Sequence, residues 1–298
     1  MHKKESWFLA GLLFAILWAS ASTATKIALK EAQPLVVAVS RFGVASVIML
    51  FTSHFILKNR LPRNEEWKQL AVYGLLNITI YLGLYVVAMK EVTAGIGALT
   101  VAASPVFISF LSFFVLNKPL SAIILTAIFI CIAGFVVVAW PLFDGATVTV
   151  RGLALLILSM FSYSVGTIYF ASKEWNDMHL LTLNGWQTLL GGIFMMPFVF
   201  FTYKSNANHF GGDFWIGTLW LAVLVSIGAV MLWLRLIKED AVKAGLWLFL
   251  CPIFGIIIAA ILVGDKISLY TILGVAMVLG GLGISHLDKK LNAPAKTD

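Results

Sequence analysis

Residues 35 to 57 read LVVAVSRFGVASVIMLFTSHFIL, and this stretch decides the fold. Its 23 residues reach across the ~30 Å hydrocarbon core of a bilayer as a helix rising about 1.5 Å per residue. Arg41 is the one formal charge inside it. A guanidinium at that depth, roughly 9 Å in from the outer helix end, costs a few kcal/mol unless it is paired or hydrated. Arg41 is therefore expected to face protein or water, not lipid.

Outward from this segment, ten apolar helix-length runs fill the chain: 6–27, 35–57, 69–89, 94–116, 120–140, 152–171, 181–202, 216–237, 244–263 and 269–287. The chain has 298 residues, of which 60% are hydrophobic and 12% charged, and a mean hydropathy of +0.96. That is too much apolar surface for a water-soluble fold. The loops are short, so the expectation is an all-α integral membrane protein of ten transmembrane helices in a single membrane domain, 1–298. Helix one follows Lys3 and Lys4 and ends in small residues, as a cleavable leader does, but its apolar run is longer than a leader's and it is read as a retained span.

The net charge of +7 does not mark a nucleic-acid binder, because the basic residues are scattered between apolar runs and form no stripe. They report topology instead. With the N-terminus inside, the cytoplasmic side holds Lys3, Lys4, Lys58, Arg60, Arg63, Lys68, Lys118, Lys173, Arg235, Lys238, Lys243, Lys289, Lys290 and Lys296. The outer side holds Lys26, Lys30, Lys90, Arg151, Lys204 and Lys266. This bias predicts a multi-pass membrane protein with both termini cytoplasmic, and the membrane is expected to be a bacterial inner membrane. Cys131 and Cys251 fall within apolar runs and are read as small apolar residues rather than a disulfide or metal site.

The second half restates the first. A shift of 147 lays Pro105 on Pro252, Ser121 on Ser268 and Gly134 on Gly281; a shift of 143 lays Leu12 and Leu13 on Leu155 and Leu156, and Lys30 and Glu31 on Lys173 and Glu174. The expected units are 1–143 and 144–288, with 289–298 as a cytoplasmic tail. Five helices per unit is an odd number, so the second copy enters from the opposite face, giving a five-plus-five inverted repeat.

The run from Trp18 to Lys26 is similar to the helix-one signature of the drug/metabolite transporter superfamily, EamA-type branch, and Ser40-Arg41-Phe42 resembles that family's Arg-Phe pair. Pro105 followed by Leu116-Asn117-Lys118-Pro119-Leu120-Ser121, and Pro252 followed by Gly264-Asp265-Lys266-Ile267-Ser268, resemble the ends of its helices four and nine. Lys118 stands where an acidic residue is usual and Asp265 stands in place of Glu, which puts any role of that paired acid in doubt. The resemblance covers essentially the whole chain. It implies a bundle in which helices one, three, four, six, eight and nine line a central cavity while five and ten pack outside, moving small metabolites without ATP.

Candidate substrate-binding residues follow from polar and aromatic groups at membrane depth. Asn77, Tyr81 and Tyr85 stand at i, i+4 and i+8 and share one helix face. Trp18 and Ser22, Ser104, Ser162 and Tyr163, Trp186 and Gln187, and Trp247 supply further hydroxyl, amide and aromatic groups suited to gripping a small solute. Arg41, with Lys26 and Lys30, would attract a carboxylate or phosphate; as a structural residue it would instead snorkel outward, pair with Glu31 or Glu91, or satisfy carbonyls at a helix end. Pro105 and Pro252 each delete a backbone donor, as a hinge or as a passive kink. Gly95 with Gly97, Gly191 with Gly192, and Gly274, Gly280, Gly281 and Gly283 would let helices approach closely.

All fourteen carboxylates fall at helix ends, loops or termini, so none is placed as a membrane-depth proton relay. The sequence shows no catalytic residues, no metal cluster, no phosphate-cradling loop and no cofactor. The expected partners are a small-molecule metabolite and the lipid bilayer; a homodimer is left open. The reading is a secondary transporter, exporting amino acids or related compounds by alternating access. Its rivals are an uptake carrier and a non-transporting scaffold or lipid-handling subunit.

Overall fold

At membrane depth no water is available to backbone N–H and C=O groups, and a lone apolar segment satisfies them by coiling into a helix. In the computed structural model every regular element is helical among the described residues, which are 2–104, 107, 111, 122–140, 148–233, 235–236, 247 and 250–291. The elements are α1 (His2–Ala28), α2 (Pro34–Phe51, continued by Thr52–Ile56), α3 (Asn64–Gly74, Leu75–Ile80 and Tyr81–Ala88), α4 (Ala94–Thr100, continued by Val101–Ala103), α5 (Ala122–Ala139), α6 (Val150–Ala171), α7 (Leu180–Thr202), α8 (Gly212–Leu219, continued by Trp220–Ala229), α9 (Leu250–Val263) and α10 (Leu269–Leu291). Six helical stretches, 7–28, 34–56, 64–88, 150–170, 180–202 and 212–233, are long and apolar enough to cross a membrane; 250–263 and 269–281 are shorter apolar helices. Large apolar side chains such as Phe55, Phe129, Phe200 and Phe201 stand on the outside, as lipid contact requires. Pro105 and Lys118 lie outside the described residues.

Local chemistry moves one boundary. α3 begins at Asn64 and not at 69, because the Glu66 carboxylate accepts from the Arg63 backbone N–H at 2.6 Å and from both Arg60 Nη atoms at 2.7 and 2.8 Å. Arg60 also donates to the Asn176 carbonyl, tying the loop before α3 to the loop before α7. At the opposite end of α7, Gln33 makes the matching tie: its N–H donates to Asn208 Oδ1 at 2.8 Å, its Nε2 to the Thr202 carbonyl at 2.8 Å, and its Oε1 accepts from Lys204 N–H at 2.7 Å. The start of α2 therefore meets the end of α7. Near the end of α2, Ser53 and Thr182 share a 2.6 Å hydrogen bond at the start of α7. The two helices run antiparallel.

The packing pairs equivalent helices of the two halves: α2 with α7, α4 with α9, and α5 with α10. α3 packs on α6 as α8 packs on α1. α4 and α9 also oppose each other, since the Gly95 N–H at the start of α4 donates to Asp265 just beyond the end of α9 at 3.0 Å. Close approach is set by a few glycines. At Gly191 a Cβ would sit 2.4 Å from Ile78 Cβ and 2.6 Å from the Gly74 carbonyl, and the Gly191 carbonyl accepts from Thr79 Oγ1 at 2.7 Å. Gly280 and Gly283 differ from expectation: a Cβ at either meets nothing within 4 Å.

Two wide turns of π geometry interrupt α3 at Leu75–Ile80 and α8 at Trp220–Ala229. The shift of 147 that superposes Pro105 on Pro252 carries 75–80 onto 222–227, so the distortions are repeat-equivalent. Each leaves a carbonyl for a neighbouring helix. Leu76 O accepts from Ser162 Oγ at 2.9 Å, and Ser226 O accepts from Asn184 Nδ2 at 3.0 Å.

Candidate substrate-binding cavity

A cavity of about 180 Å³ lies between α1, α2, α3, α4, α6, α7, α8 and α9. Among the described residues α5 and α10, packed on each other, contribute none of its lining, whereas α2 and α7 join the six helices expected there. Its walls run from Ser22, Arg41 and Tyr85 to Tyr73, Phe170 and Leu180. Phe170 is in the last turn of α6 and Leu180 opens α7, so the lining reaches the helix ends on the side the basic residues assign to the cytoplasm. Beyond Tyr85 on the other side the helices close into buried core: Ala28, Leu29, Ala88, Met89, Val92, Ile96 and Phe214 are all buried.

One face of the cavity carries a ladder of hydrogen bonds. Arg41 Nε donates to Ser226 Oγ at 2.9 Å. Asn184 Nδ2 donates to the Ser226 carbonyl at 3.0 Å, Gln187 Nε2 to Asn184 Oδ1 at 2.9 Å, and Asn77 Nδ2 to Gln187 Oε1 at 3.3 Å. The ladder joins α2, α8, α7 and α3. The π turns make it fit, because one holds Asn77 and the other Ser226. Asn77 Oδ1 is buried with no partner among the described residues.

Among the described residues Arg41 is held by this one hydrogen bond, and it lies over the Phe42 ring, 5.5 Å from its centroid. Neither carboxylate considered as its structural partner is used. Glu31 accepts from the Phe214 N–H at 3.0 Å, capping α8, and Glu91 pairs with Arg151 at 3.0 Å. Arg41 thus stands at membrane depth beside a neutral hydroxyl, with both Nη groups uncommitted among the described residues. Opposite it the tyrosines cluster, Tyr81 and Tyr163 with ring centroids 4.9 Å apart and Tyr81 and Tyr85 6.3 Å apart.

Of the residues singled out in the sequence, Trp18, Ser22, Arg41, Asn77, Tyr81, Tyr85, Tyr163 and Gln187 line the cavity. Four do not. Ser162 turns its hydroxyl to Leu76 O, and Ser104 donates to Met160 Sδ at 3.4 Å. Trp186, one residue before Gln187, points about 100° away round the helix, where its Nε1 donates to His54 Nε2 at 3.0 Å and its ring meets Trp67 edge-on. Trp247 is buried between Trp7 and Phe8, with Nε1 unpartnered. Pro252 is buried in α9 beside the lining residue Cys251. Sequence reasoning missed Tyr73, Asn184, Ser226 and Trp233. Asn184 was findable, since it stands three residues before Gln187 on the same face. Ser226 sits in the run LAVLVSIGAV, whose π turn removes the regular period that would expose it.

Comparison with known proteins gives this cavity a setting. A solved crystal structure superposes with a TM-score of 0.67 at 16% identity, covering 97% of this chain and 99% of the other, and shares the fold. An uncharacterized transporter of Archaeoglobus fulgidus is 26% identical over 95% of this chain and 97% of its own length. The uncharacterized transporter YvbV of Bacillus subtilis is 22% identical over 94% and 91%, and the protein PecM of Dickeya dadantii 25% identical over 89% and 87%. The apolar helices and these relatives indicate a multi-pass membrane protein of transporter type. The EamA-like transporter profile matches twice, at residues 5–140 and 150–286, and the chain belongs to the EamA-like transporter family.

Proposed function

We propose that this protein is a secondary carrier that exports a small carboxylate-bearing metabolite, amino acids and their relatives among the candidates, by alternating access. The observation that carries the reading is Arg41: a cation at membrane depth, in a cavity, with no carboxylate partner among the described residues. A guanidinium in that state is stabilised when a ligand supplies an anion that can take two parallel N–H bonds. The remaining lining, amides and tyrosines, gives a small solute hydrogen bonds on one side and aromatic surface on the other.

The architecture in this reading is ten spans in two inverted units, 1–143 and 144–288, in a bacterial inner membrane with both termini cytoplasmic. The antiparallel pairs α2–α7 and α4–α9, the matching loop ties at Gln33 and Arg60, and the repeat-equivalent π turns all support opposed halves. Exchange of conformation between such halves turns an inward-facing cavity outward. The packed core beyond Tyr85, set against a lining that reaches the cytoplasmic helix ends, fits an outward-closed state.

Counterflow in proteoliposomes tests the reading. Vesicles preloaded with one unlabelled solute from a panel of amino acids and organic acids are expected to accumulate the labelled solute transiently. Absence of counterflow for every member, with the protein folded, sinks it in favour of a scaffold.

A further inference from the structure

The charges that line the cavity restrict the solute further. Arg41 is the one formally charged side chain in the described lining. The sequence offers no carboxylate inside any of its apolar runs, since all fourteen lie at helix ends, loops or termini. A zwitterion bound through its carboxylate to Arg41 would bring an ammonium group next to a fixed cation, with aromatic faces and amide oxygens but no anion to receive it. A desolvated ammonium without a counter-charge is costly. A solute with a carboxylate and no ammonium fits the same site with every charge paired.

Size and wall chemistry narrow the body of the solute. A cavity of about 150 Å³ holds one benzene ring, so a space of about 180 Å³ takes one ring with a short acidic arm. Trp18, Tyr81, Tyr85, Tyr163 and Trp233 offer flat surfaces around that space. Resting on the carrier reading above, we infer that the substrate class is net-monoanionic aromatic carboxylates, held with the carboxylate on the two Nη groups of Arg41 and the ring among the tyrosines.

An energy source follows from this charge. A monoanion leaving a cell that is negative inside moves down the electrical gradient, and 100 mV supports roughly a 50-fold outward concentration ratio for one charge. Arg41 belongs to α2 and does not cross with the solute, so the charge moved is the solute's own. Export then needs no coupling ion, in keeping with a chain that has no membrane-depth carboxylate to carry a proton.

The test uses four probes with one ring and one short arm: 3-phenylpropionate, its neutral amide, phenylalanine and 2-phenylethylamine. Binding to the full-length protein is read by quenching of tryptophan fluorescence, since Trp18 and Trp233 stand in the cavity wall. Transport is read in proteoliposomes with and without an imposed potassium-diffusion potential. The acid is expected to bind at least tenfold tighter than the other three. R41Q should remove that preference, and an inside-negative potential should speed efflux of the acid. Preference for phenylalanine or the amine, or an acid preference unchanged in R41Q, overturns the inference while leaving the carrier reading in place. Transport of the acid that ignores the potential overturns the energy source. Binding of the acid without movement of any probe overturns the carrier reading and keeps the anion site; if R41Q does not fold, R41K, which keeps the charge but loses the planar fork, is read in its place.

Discussion

α2 and α7 are paired across the two halves and pack against each other, yet the polar side chains they carry near mid-helix are held differently. Arg41 is the eighth residue of α2, and Gln187 is the eighth residue of α7. Gln187 is hydrogen-bonded on both sides, to Asn184 and to Asn77, and buried. Arg41 has the Ser226 hydroxyl on its Nε and nothing on its Nη groups among the described residues. The amide on α7 is fully engaged in the ladder, whereas the guanidinium on α2 keeps donors to spare among the described residues. One helix of the pair completes the scaffold; the other leaves valence for a ligand.

Making α2 resemble α7 is the sharpest way to break this contrast. R41Q is expected to reduce counterflow of carboxylates by 10- to 100-fold, the equivalent of one charge-assisted hydrogen bond at about 1.5–3 kcal/mol. Its melting temperature should stay within a few degrees of the parent. A collapse of stability with no specific loss for carboxylates would reverse the assignment and make Arg41 the structural member of the pair.

The converse change should act on stability. Gln187→Leu strands Asn184 Oδ1 and Asn77 Nδ2 in the protein interior, and an unsatisfied buried group costs about 1–3 kcal/mol. Thermal unfolding followed by tryptophan fluorescence should show a clear drop. An unchanged transition would mean that water enters the ladder and that α7 is as open as α2. Gly191→Ala, on the same helix, is expected to cost about 1–3 kcal/mol, because its Cβ would meet Ile78 and the Gly74 carbonyl well inside contact distance. The same substitution at Gly280, where nothing lies within 4 Å, should be silent.

How far the sequence goes is clearest along these helices. The helical segments, the lone cation and the stripe of Asn77, Tyr81 and Tyr85 follow from length, hydropathy and a period near 3.6. The cavity face of α8 does not, because its π turn shifts every later side chain relative to a regular helix and hides Ser226. Trp186 fails for a related reason. Polarity at membrane depth announces that a side chain needs a partner, but on a helix packed on several sides it does not say which neighbour supplies it. For Trp186 the neighbour was His54, and for Ser162 a carbonyl freed by the turn in α3. Partner identity is a property of three-dimensional packing.

A small effect is expected where the start of α2 meets the end of α7. Gln33 binds the backbone of Thr202 and Lys204 and the side chain of Asn208 with four hydrogen bonds of 2.7 to 2.9 Å. Close by in sequence, Lys30 pairs with Asp213 at 3.2 Å, but the two side chains are 57% and 41% exposed. Water and salt screen such a pair, and ordering two flexible side chains offsets most of its attraction. Lys30→Ala should therefore change the melting temperature little, within about 0.5 kcal/mol of the parent, and its effect should vanish in high salt. A larger loss would mean that the antiparallel join between the halves is held by charge at its rim, and that the Gln33 tie is secondary to it.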